Sequence, residues 1–279
     1  MVEVTDNHAH ANPLRGLGFL EVGRRFREEG GIAIVFAPLP SWHYSITISS
    51  PEGFKRVYEV VLRGVEEALD YLKALAVLGV HPAEIVSLTE VFGAEKAQEI
   101  AKKAMDMAGE YVSNGLAIGL GEVGRPHYKA PEVAVRVCNE VLEYSLELAK
   151  DLSCPVHLHL ERGDEGLKDV MKKVQSVGIN PSLVVIHHAE PKIIGRCGGL
   201  TPSIPRRGRN LEKAFMRKKL NFVVESDFID DPKRPGVVAY PWTIALDIAW
   251  MIRQGLASED GVYKVFIENF EKLYHVRIH

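Results

Sequence analysis

Short apolar runs rich in β-branched residues recur along this chain and alternate with longer stretches of helical period. That alternation constrains the fold more than any other feature, because it is the pattern of a parallel sheet whose strands are joined through helices. The runs are Val2 to Thr5, Ile32 to Phe36, Ala74 to Val80, Leu116 to Leu120, Pro155 to Leu158, Leu183 to Ile186 and Phe222 to Val224. A weaker run, Cys197 to Thr201, brings the number to about eight, which closes an α/β barrel of the (β/α)8 TIM type. The 279 residues, 46% hydrophobic and 25% charged, have ordinary globular composition and the length of one such barrel. With no internal repeat, low-complexity tract or domain-separating linker, residues 1–279 are expected to form a single domain.

The helices between the runs have legible ends. Ser50-Pro51-Glu52 offers an N-cap, a first-turn proline and an acid near the positive end of the dipole. Phe54, Val57, Val61, Val65, Ala68, Leu69 and Leu72 follow at helical spacing. Asn114-Gly115 closes a helix from about Ala94 to Tyr111, and Gly178 follows one from Leu167 to Val177. Ser258 opens the last helix, which carries Val262, Val265, Phe266, Phe270 and Leu273 on one face.

A formal net charge of -3 gives no general attraction to polyanions, so nucleic-acid binding would rest on local basic clusters. The polar N-terminus and the lack of a long apolar stretch lead to the expectation of a cytoplasmic protein with no membrane partner. Cys138, Cys154 and Cys197 are odd in number and form no Cys-x-x-Cys pair, which reads as reduced structural thiols. Pro38 to Pro51 and Ala189 to Asn210 are the least regular segments and follow strands, on the face where such barrels place their sites. The second segment holds Arg206, Arg207 and Arg209, either a solvated basic loop or a clamp for an anionic group of the substrate.

Residues able to bind metal stand where these runs end. Asp6-Asn7-His8-Ala9-His10 follows the first run, and residues two apart in extended chain point the same way, so His8 and His10 can face one ion. Glu122 ends Leu116-Ala117-Ile118-Gly119-Leu120-Gly121, whose glycines permit close approach of backbone and metal. His157 and His159 lie in Pro155-Val156-His157-Leu158-His159, His187-His188 follows Val184-Val185-Ile186, and Asp227 follows Val223-Val224-Glu225-Ser226. Imidazoles and carboxylates of this kind hold divalent ions, and a carboxylate can bridge two of them about 3.5 to 4 Å apart. Such ions lower the pKa of a shared water towards about 7. Asp227, as ligand and proton acceptor, would orient that water and pass its proton to the leaving group. No serine or cysteine beside a base is evident, which favours a metal-activated water over covalent catalysis.

Together these motifs resemble the TatD-like metal-dependent hydrolases, a branch of the amidohydrolase superfamily, and their archaeal-type members in particular. The carrying residues also include Gly79-Val80-His81-Pro82, Gly121-Glu122-Val123-Gly124, Ile186-His187-His188, Glu225-Ser226-Asp227 and Asn269. They run in the expected order over nearly the whole chain. The resemblance implies a distorted TIM barrel with one or two divalent ions, zinc first and Mn, Mg, Fe or Ni as alternatives. His8, His10, Glu122 and Asp227 would hold one ion; Glu122, His159 and His187 would hold the other. His159 is preferred to His157 because it occupies the family's Pro-x-x-x-His position, with His157 deeper on the same face. His81, His157, His188, Arg125, Arg162, Arg206 and Arg207 are then expected around the substrate, and Asp227 and Glu122 at the chemistry. The chain departs from the bacterial nucleases where Leu-Asp would follow Gly-Glu-x-Gly: it has Arg125-Pro126-His127-Tyr128 instead. Where an arginine would stand two positions after the ligand histidine it has Glu161, with Arg162 displaced by one. The leading expectation is hydrolysis of a small-molecule or nucleic-acid phosphodiester, deoxyribonuclease activity being the family's usual assignment. The alternatives are an amidase, lactonase or phosphotriesterase-like hydrolase, and a metal-binding scaffold without turnover.

Overall fold

A computed structural model describes residues 2–161, 163–217 and 219–278. The chain falls into two compact units, one of Met1–Phe36, Arg63–Leu75 and His187–His279, the other of Ala37–Leu62 and Ala76–Ile186.

In the first unit, β1 (Val4–His10) pairs in parallel with β2 (Gly31–Phe36) and with β9 (Phe228–Ile229). Two further strands there, β7 (Thr201–Pro205) and β8 (Val223–Glu225), pair in parallel with each other. The second unit holds the pairings of β3 (Lys73–Leu78), β4 (Gly119–Gly124), β5 (Val156–His159) and β6 (Val184–Ile186), all parallel. Parallel strands flanked by helices are covered on both faces, which is why β2, Gly-Ile-Ala-Ile-Val-Phe, is buried along its whole length. Phe19, Phe26, Phe36 and Phe266 fill the core of the first unit; Phe54, Tyr58, Ile85 and Ile100 fill that of the second. No helix of the described residues is long and apolar enough to cross a membrane.

Several strand boundaries differ from those expected. The first strand continues through the whole motif to His10, and all seven of its residues are buried. The fourth begins at Gly119 rather than Leu116, because the amides of Leu116 and Ala117 close back onto Tyr111 O (2.9 and 3.2 Å) to finish the preceding helix. Glu122 therefore lies within β4 and not beyond it. Cys197–Thr201 is not the seventh strand: Cys197 Sγ turns to Leu200 O (3.2 Å), and the strand runs from Thr201 to Pro205, inside the segment expected to be irregular. The helix begun at Pro51 ends at Ala68, leaving Leu69 and Leu72 outside it. Ser258 caps as expected, its Oγ accepting the Gly261 amide at 3.1 Å.

Two register irregularities position the chemistry. β1 shifts against β2 between Asp6 and Ala9, where His8 lies, and β4 shifts against β5 between Leu120 and Val123, where Glu122 lies. Such bulges re-aim side chains that a regular pleat would alternate. The glycines of β4 make room for β5: a Cβ on Gly121 would stand 2.7 Å from His157 Cβ, and one on Gly124 would stand 2.0 Å from His159 O.

Candidate metal centre

In the first unit, β1 brings His8 and His10 to its C-terminal end, His187 directly follows β6, and Asp227 follows β8. The Asp6 carboxylate ties these segments together, since its Oδ1 accepts the amides of His8 (3.2 Å) and Ser226 (2.8 Å). The Asp227 amide donates to His8 O at 2.9 Å. Three imidazoles surround the buried Asp227 carboxylate: His188 Nε2 is 2.9 Å from Oδ2, while His10 Nε2 and His187 Nε2 are each 3.6 Å from Oδ1. Burial alone would raise its pKa, but His188, His10 and His187 outweigh burial and hold the group well below the usual carboxylate range.

His187 has its orientation set from behind. Its Nδ1 is 2.9 Å from Glu225 Oε2, and Glu225 Oε1 accepts the His188 amide at 2.9 Å. Glu225 facing Nδ1 leaves Nε2 as the nitrogen turned towards Asp227, the arrangement in which a carboxyl group behind the ring orients a metal-binding histidine. Burial pushes Glu225 well above its ordinary range and the Asp6 carboxyl up to about 7. Buried carboxylates so raised are what a divalent cation would neutralise.

Backbone conformation marks the same residues. Five described non-glycine residues have positive φ. Ser45, Ser153 and His275 end helices, where a left-handed residue is ordinary. The other two are His188 (φ 55) and Asp227 (φ 47), and helix termination accounts for neither; left-handed backbone of this kind is held where function requires a side chain in a particular place.

In the second unit, Glu122 Oε1 is 2.8 Å from His159 Nδ1, and the His81 ring lies edge-on to His159 at a centroid distance of 4.8 Å. His81 caps the helix Pro82–Phe92 by accepting the Ala83 amide on Nδ1 at 3.0 Å. A neutral imidazole accepting on Nδ1 carries its proton on Nε2, which makes His81 a hydrogen-bond donor in that state. His157 is fully buried, with its Cβ against Gly121. The donor chemistry suits metal: atoms of His8, His10 and Asp227, of His187, His188 and Asp227, and of His81, Glu122 and His159 lie within 4.8 Å of one another in each group.

The arginines differ among themselves. Arg125 is enclosed by Glu161 (2.8 Å), Asp169 (2.6 Å) and Asn139 (3.1 Å). Arg206 pairs with Asp247 at 2.9 Å and Arg209 with Glu212 at 2.7 Å, while the exposed Arg207 meets no carboxylate among the described residues. Arg162 lies outside the described residues. Cys138 and Cys154, with thiols pushed up to about 12 by burial, and the buried Cys197 are not poised as nucleophiles. Sequence reasoning assigns no role to Asp6, Glu225 or His127. The first two lie inside the motif strands, where an acid two residues before a ligand is their only signal.

Against known proteins, residues 5–275 match the family described as TatD related DNase. Protein MJ1127 of Methanocaldococcus jannaschii is 34% identical over 276 residues, covering 97% of this chain and 95% of that protein. YJJV, a TatD homolog from Escherichia coli K12, has a TM-score of 0.68 at 18% identity, with 98% of both chains covered. A mutant organophosphorus hydrolase from Deinococcus radiodurans has a TM-score of 0.63 at 15% identity, covering 98% of this chain and 93% of that one. Fold and donor set define a metal-dependent hydrolase of the distorted (β/α)8 TIM type. More narrowly, the chain belongs to the TatD related DNase family.

Proposed function

We propose that this protein hydrolyses phosphodiester bonds with a water activated by one or two divalent ions, zinc in the first place, and that it does so in the cytoplasm. His8, His10, His187 and Asp227, together with Glu122 and His159, would hold the ions. The observation that carries the reading is Asp227 itself: buried, left-handed, ringed by three imidazoles and kept ionised.

When bound, the ions supply hydroxide at neutral pH and stabilise charge on the phosphoryl oxygens. Asp227 accepts the proton of the attacking water at a carboxylate oxygen and delivers it to the leaving oxygen, steadied by His188 Nε2. Glu225 keeps His187 turned, and His81, whose Nδ1 accepts the Ala83 amide, would offer its Nε2 proton to an oxygen of the substrate. Arg207, exposed and unpaired among the described residues, offers a cation for the phosphate. Support for a phosphodiester over a carboxylic ester comes from the family's description as a DNase and from that arginine.

The test uses protein purified without chelator, loaded in turn with Zn, Mn, Mg, Fe and Ni. Bis(4-nitrophenyl) phosphate, single-stranded DNA and RNA are the phosphodiesters, with a lactone and a phosphotriester beside them. Metal-dependent phosphodiester cleavage, lowered at least about 100-fold in Asp227→Asn, is expected. Turnover of only the lactone or triester would replace the reading with its small-molecule alternative, and bound metal without any turnover would leave the scaffold.

A further inference from the structure

The turn after β4, Arg125-Pro126-His127-Tyr128, is where this chain leaves the pattern of its bacterial relatives, and it places a histidine against a proposed ligand. His127 Nδ1 lies 2.7 Å from His159 Nε2, with ring centroids 5.0 Å apart. His159 is thus engaged at both nitrogens, by Glu122 at Nδ1 (2.8 Å) and by His127 at Nε2. The turn is anchored: the Arg125 amide donates to His159 O at 2.8 Å, and its guanidinium is fixed by Glu161, Asp169 and Asn139. Pro126 restricts the backbone between the anchor and His127.

A neutral imidazole carries one proton, so His159 has two arrangements here. With Nδ1–H donated to Glu122, Nε2 accepts from His127. With the proton on Nε2 and donated to His127, the Nδ1 lone pair stands beside a Glu122 oxygen, and two acceptors at 2.8 Å repel unless a cation lies against both. The second arrangement is the one that serves an ion, because metal-binding histidines donate their other N–H to an acceptor that fixes the tautomer. For His187 that acceptor is Glu225; for His159 the group 2.7 Å from Nε2 is the His127 imidazole. We infer that His127 is a positioning residue of the metal centre: it receives the Nε2 proton of His159 and so presents Nδ1, beside Glu122, to a divalent cation.

This rests on the reading of Glu122 and His159 as ligands, and the experiment separates the two. Metal-free full-length protein is titrated with Zn²⁺ against a chelating indicator, and with Co²⁺ while its visible absorption is followed. Wild type, Glu122→Ala, His127→Ala and His127→Asn are compared, circular dichroism and Tm confirming that each folds. Loss of an equivalent in Glu122→Ala supports the ligand reading. His127→Ala should then keep the wild-type stoichiometry but bind that equivalent about 10- to 100-fold more weakly, with a changed Co²⁺ spectrum. His127→Asn, whose Oδ1 can take the place of Nδ1 as acceptor, should recover most of the affinity. Wild-type affinity in His127→Ala, or no recovery in a folded His127→Asn, overturns the inference while leaving the ligand reading intact. Loss of the whole equivalent in His127→Ala would make it a ligand in its own right and overturn the positioning role. No binding by wild type, or unchanged binding by Glu122→Ala, removes the ligand reading and the inference with it.

Discussion

Glu225 and Glu84 are both carboxylates raised by burial, but their surroundings assign them different work. Glu225 faces His187 and His188 beside the proposed ligands, whereas Glu84 accepts the Ser41 amide in the second unit, its own amide donating to His81 O at 2.9 Å. Glu84 belongs to none of the donor groups that could share an ion among the described residues, so its titration reports on burial. A carboxyl raised in the folded state gives stability that is fully present below its unfolded pKa and is lost as pH rises through the folded one. Glu84→Gln keeps an acceptor for Ser41 and removes the titration, so the variant should gain on wild type as pH rises above the ordinary carboxyl range of about 4. Denaturation midpoints measured across that rise check it, and parallel curves would mean that the buried charge is compensated. Of the candidate centre, His8 and His10 stand out in sequence by their two-residue spacing and Asp227 by its place just after a strand, because both are local properties. The meeting of His127 with His159 does not, since it depends on the path of a turn between residues 32 apart.

Elements were legible in kind more than in extent. Alternating apolar runs place the strands, but where each begins is decided by how the preceding helix closes, as the amides of Leu116 and Ala117 show. The displacement of the seventh strand has a similar origin: Cys197 and Leu200 are apolar enough to read as strand, yet Gly198 (φ 61) and Gly199 (φ 92) turn the chain there. Glycines inside β4 have a role that only the paired strand reveals. Gly124, at φ 142, lies against His159 O, so Gly124→Ala combines an unfavourable conformation with a 2.0 Å clash against backbone that also holds the Arg125 amide. The conformational cost alone is about 1–3 kcal/mol. Gly115→Ala provides the control, since it also has positive φ (72) but meets nothing within 4 Å. Gly124→Ala should lower stability further than Gly115→Ala and weaken metal binding, while the control changes stability alone. Equal losses and equal metal affinity would show that the β4–β5 approach has no part in the centre.

At the scale of the whole molecule, alternation was enough for the fold class because parallel strands are joined by crossovers that usually carry a covering helix. The donor set adds a requirement of its own. In the first unit, His8, His187 and Asp227 come from stretches far apart in sequence and gather as buried polar groups around one carboxylate. An ion bound there would be absent from the unfolded chain as a formed site, so its binding free energy would add to folding free energy. At a free ion concentration 100 times Kd the gain is about 2.7 kcal/mol. For a chain of this length that corresponds to a Tm rise of about 5 °C. Chelation should therefore lower Tm by that much and readdition of Zn²⁺ should restore it, while His10→Ala should show a smaller shift between the two conditions. A wild type whose Tm ignores both chelator and Zn²⁺ would mean that these buried imidazoles and carboxylates satisfy one another without metal, and the hydrolytic reading would lose its physical basis.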